Sequence, residues 1–222
     1  MRTLVVGPHP DDELIGCGGT LLRRKAEGGT LGWLLMTSVS SKHGWNSENI
    51  AKRAVEIETV RKGLGINLDN FYKLNYPTTE LDQIPRNSMV VSVSEVFKDF
   101  QPNEVLLPHP GDAHSDHKIT FEVAASCTKW FRYPSVKKVL VYETISETDA
   151  SVDKKQFFKP NLFVDISEFS KLKMDLINIY KSEIGAFPFP RSEVAISSLE
   201  KVRGAESGFN AAEAFEVMRE RI

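Results

Sequence analysis

Short apolar runs and helix-length amphipathic patterns alternate along the first two thirds of this chain, and the alternation leaves few folds open. Runs of strand length occupy residues 3–7, 31–37, 70–74 and 104–107. Between them, apolar residues recur at three- and four-residue spacing, which predicts helices over 14–27, 48–64 and 88–100. Gly28-Gly29 ends the first helix, Gly65 caps the second and Pro102 breaks the third. A further helix over 117–131, strands at 138–142 and 161–165, and helices over 167–181 and 192–202 complete the pass. Strands separated by helices form βαβ units, so the chain should build an α/β fold with a largely parallel sheet covered on both faces. In such sheets ligands gather where loops converge at the carboxyl ends of the strands.

The 222 residues carry no repeat and no linker, and read as one domain over 1–222. A chain of this size buries about 70 to 75% of its unfolded surface and needs no metal to hold it together, so a metal here would serve chemistry. Lys and Arg total 28 against 30 Asp and Glu, with no basic block, which disfavours nucleic acid or an anionic membrane as a partner. Cys17 and Cys127 lie far apart inside predicted helices and read as buried thiols of a reducing compartment. The apolar stretch at the N-terminus is too short for a signal-peptide core and no run has membrane-spanning length, so a soluble, cytoplasmic protein is expected. A homo-oligomer is left open, because nothing in the sequence bears on it.

Two clusters of ionisable residues follow predicted strands. Pro8-His9-Pro10-Asp11-Asp12-Glu13 comes after the first. His9 and Asp12, three residues apart on a turn entering a helix, can face one cation. Asp11 points elsewhere and can serve as a base toward water on that cation. Glu13 suits the positive end of the helix dipole, and the same dipole offers a competing account in which all three acids only cap the helix. After the fourth strand stands His114-Ser115-Asp116-His117. One of its imidazoles completes a His-Asp-His set with an open position for water, the pattern of a catalytic metal site. The other, hydrogen-bonded to Asp116, can polarise a carbonyl. His43 is expected in solvent and His109, fixed by Pro110, in a structural role. The loop around residues 40–46 borders the expected cleft, where Trp45 could stack on a sugar and Lys42 or Asn46 reach hydroxyls.

Together these residues resemble the PIG-L / LmbE-like family of zinc-dependent N-acetyl-sugar deacetylases. The two motifs above carry the resemblance, with weaker matches at Arg53-Ala54-Val55-Glu56, Tyr180-Lys181-Ser182-Glu183 and Ala212-Glu213-Ala214-Phe215. It implies a Rossmann-like three-layer αβα sandwich and an N-deacetylase acting on a small-molecule N-acetylated sugar or sugar conjugate. It further implies His9, Asp12 and His117 as Zn2+ ligands, Asp11 as base, His114 oriented by Asp116 at the oxyanion, and Arg53 in contact with substrate. The same donor set suits Fe2+. Two positions depart from the family pattern: Asp112 stands where some members carry tyrosine, and Glu183 where glutamine is usual. A metal-dependent amidase or esterase on another substrate shares the half-sites. A non-catalytic carbohydrate-binding protein would be expected to have lost Asp11. A dinucleotide site is disfavoured, because Gly16-Cys17-Gly18-Gly19 lies inside the first helix and lacks the fingerprint spacing.

Overall fold

The structure, a computed structural model, describes residues 1–41, 44–152 and 156–222. Among the described residues, seven strands form one sheet in the order β3-β2-β1-β4-β5-β7-β6. They are β1 (Arg2–Gly7), β2 (Thr30–Ser38), β3 (Phe71–Pro77), β4 (Glu104–Pro108), β5 (Lys138–Tyr142), β6 (Leu162–Asp165) and β7 (Ala212–Glu220). β1 pairs in parallel with β2 and β4, β2 with β3, and β4 with β5, whereas β7 is antiparallel to β5 and β6. The helices are α1 (Asp12–Ala26), α2 (Ser47–Gly63), α3 (Arg86–Phe100), α4 (Ser115–Ser126), α5 (Ser170–Ile177) and α6 (Glu193–Ser207).

Alternation along the strands separates two apolar layers. Val5, Trp33, Leu35, Leu106 and Leu140 pack with Leu14 and Leu21 of α1, Val60 of α2, Ile177 of α5 and Ile196 of α6. Their neighbours Leu4, Val6, Leu34, Val105 and Val139 face Met89, Val93 and Phe97 of α3 and Ile119 and Val123 of α4. The result is the expected three-layer α/β sandwich with a mostly parallel sheet. Period-2 alternation assigns each strand residue to one layer or the other.

The differences from expectation have local causes. β7 is absent from the sequence reading; it enters between β5 and β6 and makes that end of the sheet antiparallel. The helix expected over 117–131 ends at Ser126 with Cys127 as its cap, and the one expected over 167–181 is confined to Ser170–Ile177. α6 runs past the expected end to Ser207, where Gly208 closes it with a φ of 81° that suits glycine in a left-handed cap. α1 is kinked at Cys17, with φ −151°. The amides of Gly19 and Thr20 donate to Glu213 of β7 at 2.8 and 2.7 Å, and buried Lys173 pairs with Glu213 and Glu200. A β-carbon on Gly16 would run into the Tyr142 ring, and one on Gly19 would fall 2.7 Å from Ile166. These glycines therefore serve close packing of a helix on the sheet. Both cysteines are buried and free.

With β2 on one side of β1 and β4 on the other, successive crossovers diverge between β1 and β4. The loops carrying His9 and His114 meet at this switch point, where a crevice opens at the carboxyl ends of the strands.

Candidate functional site

The turn after β1 is tied down before it delivers any functional group. Thr37 at the end of β2 donates from its amide and its hydroxyl to the Pro8 carbonyl, at 3.1 and 2.7 Å. Asp11 then takes a φ of 127°, a region that non-glycine residues rarely occupy and that clusters at functional sites. Its amide donates to the buried Glu13 carboxylate at 3.0 Å, while its carbonyl accepts from Leu14 and Ile15 at 2.9 Å. Glu13, expected merely to meet the helix dipole, therefore clamps the backbone turn that aims Asp11. Burial pushes the Glu13 carboxyl well above its ordinary range.

His9, Asp12 and His117 converge closely enough to hold one metal ion. The His9 amide donates to Asp12 Oδ2 at 2.9 Å, which leaves Asp12 Oδ1 turned toward His117 Nε2 at 3.4 Å. That oxygen is buried and accepts no hydrogen bond among the described residues. A buried carboxylate oxygen without a donor is costly unless a cation or proton meets it. The donor set, two imidazoles and a carboxylate, is that of a divalent-metal site with open positions, so the residues present fit such an ion. A second trio, His9, His114 and Asp116, is similarly close.

Protonation of the trio follows from its own charges. Burial opposes a charge on His9, yet its hydrogen bonds to Asp116 and Asp12 outweigh that and push it up to about 10. His117 is raised in the same sense, burial being overcome by Asp12 and Asp112. Asp12 is held well below the usual carboxylate range because His117 and His9 outweigh its burial. Asp11 moves the other way: burial, then the neighbouring Asp12 charge, raise it, and Arg191 only partly offsets them. Adjacent carboxylates with divergent ionisation are a mark of acid–base sites.

Around the trio lies a shell that sequence reasoning only partly found. His117 Nδ1 is 2.8 Å from Asp112 Oδ2, and Asp112 Oδ1 accepts from the Thr148 hydroxyl at 2.6 Å. A carboxylate behind a ligating imidazole fixes its orientation and raises its basicity. Asp112, noted in the sequence only as a departure from tyrosine, thus acquires a structural reason. The sequence reading has Asp116 orienting His114 without saying through which group; here the backbone amide of Asp116 donates to His114 Nδ1 at 3.0 Å. The Asp116 carboxylate instead meets His9 Nε2 at 3.0 Å and accepts from the amide of Thr79 at 2.7 Å. Because Nδ1 of His114 accepts, its proton sits on Nε2. Burial, then the His9 charge, lower His114 to about 4, so it is a neutral donor at pH 7.

Arg191, absent from the sequence reading, donates to Asp11 Oδ2 at 2.6 Å, to the Ser146 hydroxyl at 2.8 Å and to Glu147 at 3.4 Å. It sits just before the α6 cap Ser192 and comes to Asp11 across 180 positions of sequence, with no periodic sign to mark it. These groups border a cleft of about 300 Å³ lined by His9, Asp11, Trp45, Arg53, Thr79, His114, Glu147, Glu183 and Arg191. Half-buried Trp45 lies 5.6 Å from the Arg53 guanidinium, which also meets the Tyr180 ring at 5.2 Å. Asn46, expected as one of two residues that could reach sugar hydroxyls, accepts from the Asn49 amide at 2.7 Å through its side-chain oxygen as the α2 N-cap. Lys42 and His43 lie outside the described residues. His109 is not part of the cleft lining and is bonded to the Gln156 carbonyl at 2.9 Å.

Comparison with known proteins places this geometry. The family pattern described as GlcNAc-PI de-N-acetylase, PIG-L, matches residues 4–128, a span that contains both motif loops. Diacetylchitobiose deacetylase of Thermococcus kodakarensis is 26% identical over 222 residues, covering 96% of this chain and 81% of its own length. Among solved structures, a conserved protein of Thermus thermophilus superposes with a TM-score of 0.79 at 25% identity, covering 99% of this chain and 96% of the other. N,N'-diacetylchitobiose deacetylase of Pyrococcus horikoshii shares the fold, with a TM-score of 0.77 at 24% identity over 98% of this chain and 84% of its own. The family match runs through more than half of the chain and through every residue of the His/Asp cluster, and on that ground the protein belongs to the PIG-L de-N-acetylase family and is a hydrolase of that family.

Proposed function

We propose that this protein removes the acetyl group from the nitrogen of an N-acetylated amino sugar or its conjugate, with His9, Asp12 and His117 holding Zn2+. The observation that carries the reading is Asp11: a carboxylate outside the ligand trio, aimed into a sugar-sized cleft by a constrained backbone. A divalent ion at the trio supplies Lewis-acid charge and lowers the pKa of water it binds. Iron(II) suits the same donors, so the choice of zinc rests on the family.

Asp11 accepts the proton of the attacking water and can return it to the leaving nitrogen. Its raised pKa suits both duties. Arg191 holds one Asp11 oxygen at 2.6 Å and so keeps the other turned to the reacting centre. His114 lines the cleft, and its Nε2–H donates in this reading to the oxygen on which negative charge develops, a role that requires the neutral ring its lowered pKa supports. Asp116 contributes through its amide, which fixes the His114 tautomer, and through its carboxylate, which braces His9. Trp45 and Arg53 line the wall where a sugar ring would lie, Trp45 by stacking and Arg53 by donating to hydroxyls. Residues 1–222 work as one domain in this account.

The test is acetate release by zinc-loaded protein from a panel of N-acetylated monosaccharides, disaccharides, nucleotide sugars and N-acetylamino acids. Acetate and free amine should appear in equal amounts from sugar substrates. A metal-replete preparation that acts only on the amino acids, or on nothing, contradicts the proposal.

A further inference from the structure

The cleft does not end at the trio. A second hollow of about 280 Å³ adjoins it, sharing Trp45 and Arg53 and bounded further out by Asn49, Lys52 and Glu56. A substrate whose acetamide reaches the trio can thus extend past Arg53 into this hollow. Two guanidiniums flank the route, and free guanidiniums bind phosphate or carboxylate in bidentate fashion. Neither is free here. Glu183 Oε1 makes a short ion pair with Arg53 Nη2, and Glu183 Oε2 lies 3.8 Å from Arg191 Nη1. The Ser182 hydroxyl donates to the same carboxylate at 3.2 Å, and Glu56 Oε2 forms an ion pair with the Arg53 guanidinium, 3.1 Å from Nε.

We propose that Glu183 is a specificity residue: by pairing with Arg53 and placing its second oxygen near Arg191, which Asp11 and Glu147 already engage, it makes the cleft select neutral sugar conjugates and reject phosphorylated or carboxylated ones. The proposal rests on the deacetylase reading above. Among the described residues of the two hollows other than the metal-site histidines, Lys52, Arg53 and Arg191 face Asp11, Glu56, Glu147 and Glu183, so the lining beyond the trio offers no surplus positive charge to an anion. A phosphate entering beside Arg53 must displace the carboxylate already there, whereas a neutral glycoside leaves every ion pair in place. Glutamine at this position keeps the shape and one acceptor oxygen but frees a unit of positive charge where the conjugate passes.

The experiment compares wild type with Glu183→Gln, both zinc-loaded, on methyl N-acetyl-β-glucosaminide and N-acetylglucosamine 1-phosphate. Wild type should prefer the neutral compound in kcat/KM, and E183Q should shift the ratio about tenfold toward the phosphate, as expected for one charge removed within a few ångströms in a partly solvated cleft. Equal use of both compounds by wild type, or a variant that changes both rates alike, overturns the proposal. Calorimetric titration with methyl β-glucosaminide and glucosamine 1-phosphate gives the same comparison without turnover. If neither acetamide is hydrolysed, the deacetylase reading falls, and the binding ratio still decides the role of Glu183: a shift upholds it and an unchanged ratio overturns it.

Discussion

Replacing Asp112 with asparagine isolates the part of the metal site that touches no metal. The carboxamide keeps the size of the side chain. Its oxygen can still accept from His117 Nδ1, which lies 2.8 Å from the native carboxylate, and its NH2 can donate to the Thr148 hydroxyl that the carboxylate meets at 2.6 Å. What the substitution removes is charge. A hydrogen bond to an ionised partner contributes ~1.5 to 3 kcal/mol and a neutral one ~0.5 to 1.5, so the exchange weakens His117 as a ligand by ~1 to 1.5 kcal/mol, about tenfold. The lost negative charge also lies ~6 Å from a cation at the far side of the ring, where an effective dielectric near 20 sets an upper bound of ~3 kcal/mol per unit charge, of which the Asp12 carboxylate and the solvent of the open cleft screen the larger part. The two effects together predict a ~10- to 100-fold weaker zinc affinity, the range found for second-layer carboxylates generally. Competition with a chromophoric chelator measures it, with thermal unfolding of the metal-free proteins as the check on folding. An affinity within about twofold of wild type, in a variant that folds normally, refutes the argument that Asp112 acts through His117.

Three further outcomes are expected. His114→Ala should retain zinc and lose ~10²- to 10³-fold in kcat, the cost of one oxyanion donor, and an unchanged kcat would remove His114 from the reaction. Arg191→Ala should lower kcat by ~10- to 100-fold at unchanged metal content, because a charge-assisted hydrogen bond aims Asp11, with Arg191→Lys restoring part of the rate; equal activity in all three proteins would deny Arg191 that role. Zinc uptake at pH 7 should release at least one proton per ion and tighten as pH rises, since His9, raised to about 10, is protonated in the metal-free site and a cation must displace that proton, and His117 is shifted in the same direction. Calorimetry in buffers of differing ionisation enthalpy counts them, and a count near zero contradicts the assigned charges.

What the sequence disclosed was the part written in local periodicity. Alternating strand and helix patterns imply the sandwich and direct both motif loops to one end of the sheet. Residues 212–220, Ala-Glu-Ala-Phe-Glu-Val-Met-Arg-Glu, lack strict alternation, and a strand's slot in a sheet is a long-range property, so nothing local says that β7 enters between β5 and β6. The kink at Cys17 was concealed because helical spacing continues on both sides of it, and the glycines around it show their reason, close packing against Tyr142 and Ile166, only in the folded chain. His9, Asp12 and His117 were legible because each sits in a short motif whose members fold together. Arg191, Glu147 and Thr148 approach the site across long stretches of chain from loops without pattern, and only the folded chain identifies them. Asp116 shows a third limit: its proximity to His114 was legible, but whether amide or carboxylate makes the contact depends on the dihedrals of one turn.

The account stands or falls on which side chains grip the ion. An anomalous difference map from crystals of the zinc-loaded protein, recorded on both sides of the zinc absorption edge, should show one peak ~2.0 to 2.2 Å from His9, Asp12 Oδ1 and His117 Nε2, with Asp11 unbound. A peak seated instead between His9, His114 and Asp116, or one that takes Asp11 as a ligand, would contradict it.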